Sequence, residues 1–163
     1  NVADLLVEDV VIDNCRGDGL WVDNCLMPRF TRVYSHDNGR NGIGLSNCWF
    51  PQFTDCRTID NARQTAGTGS GVSLGLLTLD SSFVNLISYD TSGQGGNPED
   101  QELTGKRQSY GLAEGPNELV DRSTVLGGFL KENLNGHFLR DWGRSISFLI
   151  DDTNLGGNNA GNA

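Results

Sequence analysis

Side chains along this chain alternate with a period of two. Val33 and Ser35 alternate with Arg32, Tyr34 and His36, and Cys56 and Thr58 alternate with Asp55, Arg57 and Ile59. Alternation of this kind marks a half-buried strand; a helix would repeat every 3.6 residues. The runs are short. Each ends in an Asp-Asn or Asp-Thr turn, followed by a glycine, a second short strand and a polar turn. The pattern predicts a chain of brief strands broken at regular intervals.

The interval is about 23 residues. Gly19-Leu20-Trp21-Val22-Asp23-Asn24-Cys25-Leu26-Met27-Pro28-Arg29-Phe30-Thr31 returns as Gly42-Ile43-Gly44-Leu45-Ser46-Asn47-Cys48-Trp49-Phe50-Pro51-Gln52-Phe53-Thr54, with the Gly, Asn, Cys, Pro, Phe and Thr positions identical. Phe83 to Asp90 repeats Phe53 to Asp60. The Gly42-Ile43-Gly44-Leu45 position recurs at Gly71, Gly111 and Gly136. An antiparallel meander has no reason to keep equivalent residues at equal spacing. Parallel stacking does, because residues one coil apart lie about 4.8 Å apart on one face. The expected fold is all-β, a parallel β-helix of about five coils.

Composition agrees. Among 163 residues there are 22 glycines and a high share of asparagine, both poor helix formers that favour turns. One domain fits the length. Coils are expected over residues 1–150, followed by a polar Gly/Asn-rich tail over 151–163, and the chain reads as part of a longer β-helix. No apolar run reaches the roughly 18 residues a membrane-spanning helix needs. A net charge of −9 argues against a nucleic-acid partner held through its phosphates.

Two stretches give the pattern a family likeness. The Asp-Asn-x-x-x-Gly-Ile turn of Asp37 to Ile43 and the Gln108-Ser109-Tyr110-Gly111-Leu112-Ala113-Glu114 stretch resemble the right-handed pectate-lyase-type β-helices. More narrowly they resemble those of phage tail spikes and related secreted polysaccharide-active proteins. The likeness spans roughly residues 5–150. It implies a right-handed coil, a polysaccharide partner, an extracellular or virion-surface setting and a homotrimer. Fold alone leaves open whether the glycan is hydrolysed, cleaved by elimination or only bound.

With Val33 and Ser35 inward, stacking predicts three outward columns. Asp9, Arg32, Asp55 and Asn85 form the first; Val11, Tyr34, Arg57 and Ile87 the second; Asp13, His36, Ile59 and Tyr89 the third. Arg32, Tyr34, His36, Arg57 and Tyr89 are the expected substrate-binding residues, because a sugar needs flat aromatic surface beside charged donors. Asp9 and Asp55 are candidate catalytic carboxylates: two coils separate them, near the 6.5–9.5 Å typical of inverting glycosidases. Arg32 between them would equally make a charge ladder that holds both ionised. Glu114 is the third catalytic candidate. It falls where earlier coils carry Val22, Leu45 and Leu74, with Arg140 or Lys106 as its expected partner in a structural pair.

Asn14, Asp37, Asp60 and Asp90 recur at one turn, a pattern that fits local backbone capping better than a cation site. No metal is expected. Insertions at 62–70 and 91–108 break the rhythm and would emerge as loops, walls of a groove or passive excursions. Cys25 and Cys48 should be coil neighbours, expected reduced, and Cys56 should stack on Val33 as plain core. Cys15 completes the four, whose spacing matches no zinc motif. No nucleotide-binding loop is present and no cofactor is expected. Two functional readings follow. One is an enzyme, a glycosidase or lyase that degrades a bacterial surface polysaccharide and serves in host-cell attachment. The other is a non-catalytic glycan-binding or trimerising module.

Overall fold

The protein, described here from a computed structural model, is defined over residues 2–64, 68–91, 108–114, 123–131, 136–139, 149–151 and 154–156. It is a right-handed parallel β-helix. Three parallel ladders run along it. The first holds β2 (Leu6–Glu8), β6 (Arg29–Thr31), β9 (Gln52–Thr54), β12 (Ser82–Val84), β15 (Thr124–Leu126) and β18 (Leu149–Asp151). The second holds β3 (Val11–Asp13), β7 (Tyr34–His36), β10 (Arg57–Ile59), β13 (Ile87–Tyr89), β16 (Phe129–Lys131) and β19 (Asn154–Gly156). The third holds β4 (Leu20–Asp23), β8 (Ile43–Ser46), β11 (Val72–Leu74), β14 (Tyr110–Glu114) and β17 (Gly136–Leu139). A shorter rail pairs β1 (Val2–Ala3) with β5 (Cys25–Leu26) and continues through single bridges from Leu26 to Trp49 and from Trp49 to Leu79. Strand pairing continues past residue 150, through β19.

Each coil thus carries three main strands, one more than the alternation predicts. The missed break falls at Asp9, Arg32, Asp55 and Asn85, which separate the first ladder from the second. All four have positive φ, between 51° and 56°. A single left-handed residue turns the chain through a corner without spending a loop. Asp and Asn tolerate that conformation best, whereas Arg32 adopts it without a short polar side chain. The same device recurs at Asn14, Asp37 and Asp60, and at Asn24 and Asn47.

The core is a set of columns. Phe30, Phe53 and Phe83 stack with ring centroids 4.6 Å apart at each step, which is one strand spacing. Val33, Cys56 and Leu86 form a second column with no solvent exposure, joined by Arg57 N–H to Val33 C=O and Ile87 N–H to Cys56 C=O. Cys25 and Cys48 are buried, and all four cysteines are free. The thiols of Cys48 and Cys56 donate to carbonyls of the preceding coil, Val22 O at 3.6 Å and Phe30 O at 3.4 Å. Burial pushes both thiols up from their ordinary value, so they are poor nucleophiles.

Polar residues are stacked inside as well. Asn38 donates its amide to Asn61 Oδ1 at 3.0 Å, and Asn61 donates to Gln108 Oε1 at 3.0 Å. Ser35, Thr58 and Ser88 lie buried beside this amide ladder. Glycine at 19, 42 and 71 gives the ladder its room: a Cβ on Gly42 would sit 2.8 Å from Asn61 Nδ2 and 2.6 Å from Gly71 O. These turns fix where each second-ladder strand ends, and so which side chains share its outer face.

Candidate functional site

The outer face of the second ladder carries Tyr34, His36, Arg57 and Tyr89, four of the five residues expected to bind substrate, and Arg32 lies outside it. Tyr34 pairs in register with Arg57, and Arg57 with Ile87; His36 pairs with Ile59, and Ile59 with Tyr89. Val11 and Asp13 extend the two columns by one coil and Phe129 and Lys131 by another. One expected outward residue differs: Ile59 is 8% exposed, because an aliphatic chain set between His36 and Tyr89 is screened by its larger neighbours.

Four side chains form a connected group on this face. The Tyr34 phenol stacks on the His36 imidazole, centroids 4.4 Å apart and 29° between planes. His36 Nδ1 lies 2.7 Å from Asp37 Oδ2. A carboxylate only accepts, so Nδ1 carries the proton, and in the neutral tautomer this leaves Nε2 as the acceptor. Arg63 Nη1 donates to the other oxygen of Asp37 at 3.0 Å and steadies the carboxylate from the next coil. Burial raises the Tyr34 phenol above its ordinary value, with Tyr89, Asp37 and Asp60 adding to the rise and Arg57 opposing it. Tyr34 therefore keeps its proton at neutral pH. On the far side, Tyr89 meets Phe129 edge to face at 6.2 Å.

Asp60 adjoins this group one coil beyond Asp37. Thr91 donates to it twice, from its backbone N–H and from Oγ1, the latter at 2.6 Å. Burial pushes the Asp60 carboxyl above the usual carboxylate range, and the charges of Asp90 and Asp37 push it further, against the Thr91 bonds. Asp90 is fully buried and accepts the Gln108 N–H at 2.6 Å. At the recurring Asp turn, Asp60 and Asp90 thus cap backbone N–H groups further along the chain, those of Thr91 and Gln108. Among the described residues, no group of three or more His, Cys, Asp and Glu is placed to hold a metal ion.

The three catalytic candidates do not converge on this face. Asp9, Arg32, Asp55 and Asn85 sit at the corner between ladders one and two. There Arg32 takes both oxygens of Asp9, Nε to Oδ1 at 2.6 Å and Nη2 to Oδ2 at 2.8 Å, and reaches Glu8 at 2.8 Å. Arg32 holds the Asp9 carboxyl below its ordinary value, which leaves it no proton to give as a general acid. Asp55 accepts the Asn85 amide at 2.7 Å. The corner is a charge-and-amide ladder, and Arg32 is engaged there, away from the face that carries Arg57. Glu114 aligns with Leu74 in the third ladder; Lys106, Arg140 and most of the 91–108 insertion lie outside the described residues.

Sequence reasoning did not assign Asp37, Asp60 or Arg63 to the site. The His36-Asp37 dipeptide was visible. Arg63 was hidden, because it follows Asp37 by 26 residues, out of step with the 23-residue repeat.

Comparison with known proteins bears on the fold. No family model matches the chain, and no curated protein matches it in sequence. Its structure is similar to the A-module of the mannuronan C-5 epimerase AlgE6 from Azotobacter vinelandii, with a TM-score of 0.74 and 14% identity over 93% of this chain. It is also similar to the A-module of AlgE4 from the same organism, with a TM-score of 0.63 and 15% identity over 95%. A third similar structure is the periplasmic alginate epimerase AlgG, with a TM-score of 0.61 and 12% identity over 93%. The chain spans 37–39% of the length of these three structures. All three share the pectate-lyase-type coil that the sequence resembles.

Proposed function

We propose that this chain is a carbohydrate-active β-helix that binds an acidic polysaccharide across the outer face of the second ladder and acts on the C-5 proton of a uronate unit. The observation that carries the reading is the juxtaposition of Arg57, the Tyr34–His36 stack and the Asp37 carboxylate on one face. A proton next to a carboxylate is removed when a cation holds the carboxylate charge, a base takes the proton and an acid can return one. Arg57 suits the first role through bidentate hydrogen bonds. His36, oriented by Asp37, presents Nε2 as the base. Tyr34, with its raised pKa, is a phenol able to donate. The structurally similar proteins are named as epimerases of mannuronan or alginate, which supports uronate chemistry over hydrolysis. So does the capture of Asp9 by Arg32.

Removal of the same proton can be followed by reprotonation from the opposite side or by elimination, so epimerase and lyase differ only in the second step. An extracellular or virion-surface setting, a bacterial surface polysaccharide as target and homotrimeric assembly belong to the same proposal and rest on the sequence likeness. The test is incubation with mannuronate hexamer in deuterated water. Deuterium at C-5, or an unsaturated product absorbing in the ultraviolet, is expected, and His36→Ala should abolish it while binding persists. Binding without exchange in the wild type would leave the glycan-binding module as the correct reading. Absence of both would overturn the proposal.

A further inference from the structure

The third ladder carries a second arrangement, on a different face. Trp21 projects outward from β4 and is 53% exposed. Its register partner on β8 is Gly44. The indole reaches over β8 and occupies the place a Gly44 side chain would take: a Cβ there would lie 2.4 Å from Cε3 and 2.7 Å from Cζ3 of the ring. The row continues through Ser73, half-buried, and Ala113, which is only 6% exposed. The indole therefore stands at one end of a shallow floor of small residues.

Beside it runs a polar row. Asp23 pairs with Ser46 two residues along the same face. Asp23 accepts the Asn47 amide at 2.9 Å and the Asn24 amide at 2.5 Å, and Asn47 also donates to Ser46 Oγ at 3.2 Å. Carboxylate, amide and hydroxyl are locked together before any ligand arrives. The exposed indole offers a flat apolar surface beside these polar groups. A protein partner would gain little from the fixed polar row. A pyranose ring uses both features, its C–H face on the indole and its hydroxyls on the carboxylate and amides.

Charge decides which sugar. The positions of these rows are Trp21, Asp23, Gly44, Ser46, Ser73 and Ala113, with one acid and no Lys or Arg. Hydrogen bonds from Asn47, Ser46 and Asn24 hold the Asp23 carboxyl below its ordinary value. A uronate carboxylate would meet an ionised acid there. We infer that Trp21, Asp23 and Asn47 form a second glycan subsite, specific for an uncharged hexopyranose and separate from the Arg57 face.

The experiment is a tryptophan-fluorescence and calorimetric titration of the full chain with cellohexaose, and with mannuronate hexamer as the acidic counterpart. Cellohexaose should bind with a change in indole emission. Trp21→Ala should weaken it at least tenfold, about 1.4 kcal/mol. Gly44→Ala should do the same by displacing the ring, with the melting temperature of both variants near wild type. Arg57→Ala should leave cellohexaose binding unchanged and weaken only the mannuronate hexamer, so failure of one site is distinct from failure of the other. Undetectable binding of cellohexaose at millimolar concentration, or equal binding by wild type and Trp21→Ala, would overturn the inference.

Discussion

Tyr34 stands in register with Arg57 on the adjoining strand, so the ring and the guanidinium share one outward column of the second ladder. Tyr34 is half-buried against His36 and Arg57 is exposed. Neither belongs to the hydrophobic core. Replacing both with alanine should weaken binding of mannuronate hexamer at least tenfold, about 1.4 kcal/mol. The melting temperature should hardly move. Isothermal titration beside thermal unfolding checks both halves, and unaltered affinity in the double variant would move the acidic-glycan site off this ladder.

Interior columns predict the opposite behaviour. Val33 is fully buried between coils, in the column that continues through Cys56 and Leu86. A carboxylate placed there has no cation to pair with and costs several kcal/mol, comparable with the whole stability of a domain this size. Val33→Asp should yield a chain without a cooperative thermal transition. A near-wild-type melting curve would be incompatible with the stacking described here.

Much of this was legible because a solenoid writes its contacts into the sequence at a constant offset. The Phe30–Phe53 stack, the Cys25–Cys48 neighbours and the Tyr34–Arg57 pair all follow from residues 23 apart. What stayed hidden depended on backbone conformation or on irregular coils. A left-handed Arg32 looks like any strand residue in an alternating pattern, so one strand and the next were read as continuous. Whether Arg32 would join the binding face or grip Asp9 is a matter of side-chain direction at that corner. The partnership of Asp37 with Arg63, and of Asp60 with Thr91, crosses coils lengthened beyond 23 residues, where the offset gives no guidance.

The amide ladder offers a sharper energetic test than the apolar core. Asn61 Oδ1 accepts from both the Asn38 backbone N–H and its side-chain amide, and Asn61 donates to Gln108 and to Ser35 O. Asn61→Ala removes every one of these at once, strands the buried Asn38 N–H, and leaves Gln108 Oε1 with only the Asn61 backbone N–H from this residue. Each orphaned group costs about 1–3 kcal/mol. A loss of at least 2 kcal/mol in urea unfolding is therefore expected. Asn38→Ala, just as buried but with the part-buried Cys15 N–H as one of its partners, should cost less, and a loss as large as that of Asn61→Ala would count against this ordering.

The last prediction concerns pH and the carboxylate of Asp60. Its folded-state pKa is raised above the ordinary 3.8, chiefly by burial and then by Asp90 and Asp37, with Thr91 opposing. Between the unfolded and folded values the native chain holds a proton that the unfolded chain has released. Stability contributed by this group is thus greatest at low pH and is lost as pH rises from about 4 through the folded value. Asp9 works in the opposite sense: lowered by Arg32, it adds stability above its unfolded value and loses it as pH falls, so the whole-protein curve mixes the two. Asp60→Asn isolates the first effect, since an amide does not titrate. It gives up a Thr91 bond, which lowers stability by a pH-independent amount. The difference in unfolding free energy, variant minus wild type, should therefore climb as pH rises above about 4 and level off beyond the folded value, whatever its starting value. Urea titrations at four or five pH values measure it. A flat difference would show that Asp60 titrates alike in both states, and a falling one that Thr91 outweighs burial and the neighbouring charges.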